Sequence, residues 1–136
     1  MRRRLSILLV VWLLAACQSG EEPDVADYTP VPDDELYAQI ADLDGVEDVD
    51  ITFNDTWPEN GYVGSVAVSP EADAQTILDR AHAILRQGKV DASMNLEAVQ
   101  DGAVVRFGGP GGFIGTPVNL EERYGPQPGD GTPPAD

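Results

Sequence analysis

Basic side chains, cysteine and histidine are scarce in this 136-residue chain. Eight Lys and Arg stand against 24 Asp and Glu, a formal net charge of −16. Such a surface repels a polyanion, so nucleic acid is excluded as a partner. A single cysteine excludes an intrachain disulfide framework and every multi-cysteine zinc or iron–sulfur centre. A single histidine removes most metalloenzyme ligand sets. Long apolar runs are missing too. The longest, Leu5 to Ala16, spans twelve residues with Ser6 inside it, short of the roughly 20 needed to cross a bilayer. The length leaves room for one ordinary domain.

What is present is sharpest at the start. Arg2, Arg3 and Arg4 precede the apolar run, and Gln18, Ser19, Gly20, Glu21 and Glu22 follow it. This is the layout of a secretory signal. At its exit stands Leu14-Ala15-Ala16-Cys17: an aliphatic residue, two small residues, then cysteine. The tetrad resembles the lipobox of bacterial lipoprotein precursors. The resemblance covers roughly the first 20 residues. It implies that the Cys17 thiol receives a diacylglyceryl group, that a signal peptidase cuts between Ala16 and Cys17, and that the freed amine is a further acylation point. Two acyl chains hold a protein stably to a bilayer, whereas one does so only marginally. Ordinary signal cleavage after Ala16 would place Leu14 where a small residue is preferred. The expected location is the extracytoplasmic face of a bacterial membrane. Seven arginines to one lysine, with abundant Ala, Gly, Asp, Val and Pro, suggest a GC-rich genome. Gln18 supplies no acidic retention signal behind the cysteine.

Removing residues 1–16 leaves five basic side chains (Arg80, Arg86, Lys89, Arg106, Arg123) against 24 acids, a formal charge of −19. Twelve of the acids fall within residues 21–50, a segment that anionic head groups would repel. Residues 17–32, poor in large apolar side chains, read as an acidic flexible tether. From Gly108 to Asp136, 14 of 29 residues are Gly or Pro, and residues 121–136 read as a disordered tail. The foldable region is 33–120, with its core in 33–107.

Within that region Asp33, Asp34 and Glu35 open a helix carrying Leu36, Tyr37, Ile40 and Leu43, with Gly45 as its C′ residue. Val49, Ile51 and Phe53 alternate with acids and Thr52 as a strand, and Tyr62 to Val68 forms another. Ser69-Pro70-Glu71 reads as a second helix start. An apolar stripe follows through Ala74, Ile77, Leu78, Ala81, Ile84 and Leu85. Met94, Leu96 and Ala98 alternate again, and Asp101-Gly102 supplies a type I′ turn into Ala103–Phe107. The predicted fold is α+β: a two-layer sandwich in α-β-β-α-β-β order, with two helices on one face of a four-stranded sheet. The order loosely resembles small bacterial envelope modules such as the BON domain, and no functional residue is carried over from that likeness.

Four candidate sites follow. Asp42, Asp44, Glu47, Asp48 and Asp50 make an acidic run, but Gly45 and Phe53 fall where an EF-hand from Asp42 needs other residues. No metal or cofactor is expected beyond the lipid on Cys17. His82 shares the polar side of the second helix with Gln75, Asp79 and Arg86, which predicts a surface histidine. The run Gly108 to Gly115 fits neither Walker A nor the dinucleotide fingerprint. It reads as an exit from the last strand, with Phe113 and Ile114 folded back or offered as a small contact surface. Trp57, Asn60 and Tyr62 lie on or beside the loop between the first two strands, a candidate contact for an envelope protein or glycan. The expected function is a non-enzymatic binding module of a lipid-anchored envelope protein. The alternatives are a small hydrolase using paired carboxylates and an acidic spacer that binds divalent cations.

Overall fold

The structure, a computed structural model, describes residues 28–56 and 58–135. The elements in chain order are α1 (Asp33–Ala41), β1 (Val46–Asn54), β2 (Gly61–Val68), α2 (Ala74–Leu85), β3 (Ser93–Gln100), β4 (Ala103–Arg106) and α3 (Pro117–Tyr124), with a 3-10 turn at Gly109–Gly111. Over the described residues the protein is therefore of mixed α+β type, a four-stranded sheet with three α-helices. The strands lie in the order β1-β2-β3-β4. Antiparallel pairs β1–β2 and β3–β4 are joined by a parallel β2–β3 pairing. A parallel neighbour needs a crossover, and α2 supplies it.

Alternation along the strands decides what is buried. Ile51, Tyr62, Val66, Met94, Leu96 and Ala98 are buried, while Asp48, Asp50, Thr52 and Asn95 are exposed. The buried set meets Leu36 and Ile40 of α1, Ile77, Leu78, Ala81 and Leu85 of α2, and Leu120 of α3 in one cluster. Burial of a large apolar side chain stabilises by about 1.5–3 kcal/mol, so this cluster carries most of the folding free energy.

Two helix ends differ from the sequence expectation. The second helix does not start at Ser69. Asp73 is its N-cap, with a carboxylate that accepts from Gln75 N and Thr76 N at 3.0 and 3.3 Å. Ser69 and Pro70 instead form the turn before it, closed by Ala72 N donating to Ser69 O. Aspartate accepts two helix amides there, which a proline turn cannot offer. The first helix stops at Ala41 with Asp42 as C-cap, so Gly45, at φ +88°, turns the chain into β1. The β3–β4 hairpin has Asp101 and Gly102 at φ 52° and 73° between paired Gln100 and Ala103, the signs a type I′ turn requires.

The larger corrections lie at the two ends of the domain. Residues 121–136 do not form a featureless tail: α3 runs to Tyr124 and Gln127 is buried. Nor is all of 17–32 a free tether, since Tyr28 and Val31 dock on the domain. The cause is the turn at and after the C-cap of α2, residues 86–89, whose carbonyls lie beyond the helix ladder and need partners from elsewhere. Four consecutive carbonyls there receive donors from both segments. Arg86 O accepts from Gln127 Nε2 and Gly129 N, and Gln87 O accepts from Val31 N. Gly88 O accepts from Tyr28 Oη at 2.7 Å, and Lys89 O from Gln127 Nε2 at 3.1 Å. Composition registers Gly and Pro but not these unsatisfied carbonyls.

Candidate ligand-binding site

After β4 the chain leaves the sheet at Phe107 and rejoins it at Gly115, where Met94 N donates to Gly115 O at 2.8 Å. The excursion is tight. Gly108 and Gly112 have φ +82° and +64°, a region that costs side-chain-bearing residues. Phe113 N closes the loop by donating to Phe107 O at 2.7 Å. The two rings are thereby brought within 5.4 Å, edge to face. Between the loop and β3 lies an opening of about 600 Å³, lined by His82, Asn95, Leu96, Arg106, Phe107 and Phe113 among others. That volume is in the range of small-molecule pockets.

His82 forms its inner wall. The sequence predicts a surface histidine, but the ring is 2 % exposed. It is stacked against Tyr124 and lies 5.4 Å from the Phe107 centroid and 5.6 Å from that of Phe113. Helical periodicity places His82 on the polar side of α2 correctly. The Phe107–Thr116 loop and α3 then cover that side. Nδ1 lies 2.6 Å from Leu78 O. A carbonyl can only accept, so Nδ1 carries the hydrogen and Nε2 is left with a lone pair. Among the described residues Nε2 has no hydrogen-bond partner. Burial pushes the pKa of His82 down, and the positive charge of Arg123 adds to this; the Leu78 carbonyl and the Asp79 charge work against it. The ring is therefore a neutral acceptor on the wall of the opening.

Asp79 and Arg123 hold the covering helix in place. Arg123 Nε and Nη2 donate to the two Asp79 oxygens at 2.9 and 2.8 Å, and its guanidinium sits 5.2 Å from the Phe107 centroid. Burial alone would raise the Asp79 pKa, but the hydrogen bonds from Arg123 and Tyr124 and the Arg123 charge bring it below the ordinary value. Arg106, on the rim, is freer: its side chain is 67 % exposed and its nearest carboxylate, Glu97, is 3.9 Å away.

The other sequence candidates fare differently. Cys17, Ala16 and Trp57 lie outside the described residues. Tyr62 is corrected from a contact residue to a core residue. It is fully buried, donates to Asp33 Oδ1 at 3.0 Å and accepts from Lys89 N at 3.2 Å. Its place in β2 turns it inward on the same face as Val66, so no partner reaches it. Asn60 is half-buried, and its carbonyl accepts from Ser93 N and Oγ, which ties the β1–β2 loop to β3. In the acidic run Asp42, Asp44, Glu47, Asp48 and Asp50 are exposed. Among the described residues no three His, Cys, Asp or Glu side chains gather as a metal site. Arg106 and Asn95 were not singled out by sequence reasoning. Their only signal was their proximity, in the chain or across a strand, to the glycine run.

Compared with protein-family models, with curated proteins and with solved structures, the chain matches nothing. Among the described residues no helix is long and apolar enough to cross a membrane.

Proposed function

We propose that the chain is a bacterial cell-envelope lipoprotein, anchored through acylated Cys17, whose small domain is a non-enzymatic binding module. The single observation that carries the anchor is the Leu14-Ala15-Ala16-Cys17 tetrad, placed at the exit of a twelve-residue apolar run behind three arginines. The domain is read as a two-layer sandwich in α-β-β-α-β-β order, with α1 and α2 on one face and α3 added beyond it. Binding is favoured over catalysis by the chemistry of the carboxylates. Asp73, the cap of α2, and Asp79, in the Arg123 fork, are both held below the ordinary carboxylate value. A hydrolase with paired carboxylates needs one held high, as a general acid.

Metabolic labelling with a fatty-acid probe in a bacterial host tests the anchor. The expected result is label and membrane retention for the native chain and loss of both for Cys17→Ser. Unchanged labelling and retention in that variant would overturn the reading.

A further inference from the structure

The opening beneath the Phe107–Thr116 loop differs in charge from the rest of the molecule. The chain has 24 acids, yet no carboxylate lines this opening, while one cation, Arg106, does. A cationic ligand finds nothing there to neutralise it, whereas a carboxylate finds a guanidinium with a loosely held partner. The floor is apolar and aromatic: Met94 and Leu96 from β3, Phe107 and Phe113 from the loop. The inner wall offers the Nε2 lone pair of His82, which has no protein donor among the described residues.

An added peptide strand is a poorer fit. On the outer edge of β3 the β4 pairing ends at Glu97 and the Gly115 bridge begins at Met94. Only Asn95 and Leu96 remain between them, too short a stretch for strand addition. The glycine loop is also no phosphate cradle of the nucleotide type, since no helix N-terminus follows it until Pro117.

We propose that this opening binds a small cyclic carboxylate bearing a hydroxyl or N–H donor. The donor group meets Nε2 of His82, the ring lies against Phe107 and Phe113, and the carboxylate meets Arg106. This rests on the reading of the domain as a binding module and is independent of the lipid anchor, because a failure here leaves the Cys17 labelling result unchanged.

The test uses the full chain in detergent, labelled with ¹⁵N-histidine; the one histidine gives a single pair of ring nitrogen signals. The probe is 4-hydroxyphenylacetate, with phenylacetate as the analogue that lacks the donor. Saturable movement of the Nε2 signal toward that of a hydrogen-bonded acceptor is expected at millimolar probe. Phenylacetate should bind about threefold to tenfold more weakly, the size of one net hydrogen bond. Arg106→Gln should weaken 4-hydroxyphenylacetate about threefold to fivefold, as for a partly exposed ion pair. Arg106 is exposed, so that variant folds, and the analogue comparison needs no variant at all. An Nε2 signal that stays fixed, equal affinity for the two probes, or an affinity indifferent to Arg106→Gln would each overturn the proposal.

Discussion

Arg123 of α3 grips Asp79 of α2 through two parallel hydrogen bonds, and Tyr124 Oη adds a third to the same carboxylate at 2.6 Å. This clamp fixes α3, through the Tyr124 ring, against the His82 ring that lines the candidate site. Asp79→Asn removes the charge and disrupts the fork. Its expected cost is about 1–3 kcal/mol, as for hydrogen bonds to a charged group, measured by urea denaturation at neutral pH. Because the folded-state pKa of Asp79 is depressed, its contribution is present above the unfolded carboxylate value of about 3.9. It is lost as pH falls through the native value. The gap between wild type and Asp79→Asn should therefore narrow on acidification.

His82 has the opposite charge type, and its unfolded value lies above that of a carboxylate. Its pKa is lowered on folding, chiefly by burial, so below the unfolded value of about 6.5 the unfolded chain binds a proton that the native chain does not. Stability should fall as pH drops from about 6.5 toward the native pKa and stay flat above that window. Asp79 and Arg123, which flank the ring from α2 and α3, remain ionised between pH 7.5 and pH 5. With a single histidine in the chain, a His82→Phe variant should abolish this part of the pH profile. Urea midpoints at pH 7.5 and pH 5 for both proteins provide the measurement. An unchanged slope in the variant would mean that another group is responsible.

Tyr62 is a structural hub, not a contact residue. Its hydroxyl links Asp33 at the start of α1 to the Lys89 amide after α2, and Lys89 Nζ stands 4.3 Å from the Phe53 centroid beside it. Tyr62→Phe should destabilise by about 1–2 kcal/mol, since it leaves the Lys89 N–H without its acceptor. Tyr62→Ala should cost about 3–5 kcal/mol, as for other large aromatic truncations in a core. Thermal unfolding compares the two. A Gly88→Ala change attacks the same place, because its Cβ would collide with Tyr62 Oη and sit 2.8 Å from Leu36 Cδ1.

Gln127 tests the claim that the C-terminal segment belongs to the domain. Its Nε2 lies 3.0–3.1 Å from Tyr28 Oη, Arg86 O and Lys89 O, and its Oε1 accepts from Asp91 N at 2.9 Å. Gln127→Ala should cost about 1–3 kcal/mol through the groups it leaves unpaired. Hydrogen exchange should accelerate at the Val31 and Asp91 amides. A change without effect on either observable would fit a disordered tail instead.

Local rules account for much of the α+β reading. Period-two alternation at Ile51, Met94, Leu96 and Ala98 marks buried strand positions, and Asp101-Gly102 adopts the two positive φ angles its hairpin needs. Those rules failed where two segments distant in sequence meet. Arg86, read as part of a polar helix face, is 3 % exposed with its Nη2 on Gly125 O at 2.6 Å. Nothing within α2 signals the strand exit and third helix that cover that face. The third helix itself, Pro117–Tyr124, has an ordinary Thr116 cap followed by proline, but the surrounding Gly and Pro content obscures it.

By itself the sequence determined the apolar run behind three arginines, the Leu14-Ala15-Ala16-Cys17 tetrad at its exit, the acidic balance and the alternating pattern of the strands, because each is written in the residues themselves. Tertiary structure alone decided that His82 is buried and that it lines an opening free of carboxylates. It also decided that the stretches read as tether and tail close the end of α2. These depend on which distant groups satisfy unpaired carbonyls and cover a helix face, and such pairing exists only once the chain has folded. The net charge of −16 describes the whole chain; the site's character comes from one exposed arginine on an opening that no carboxylate lines.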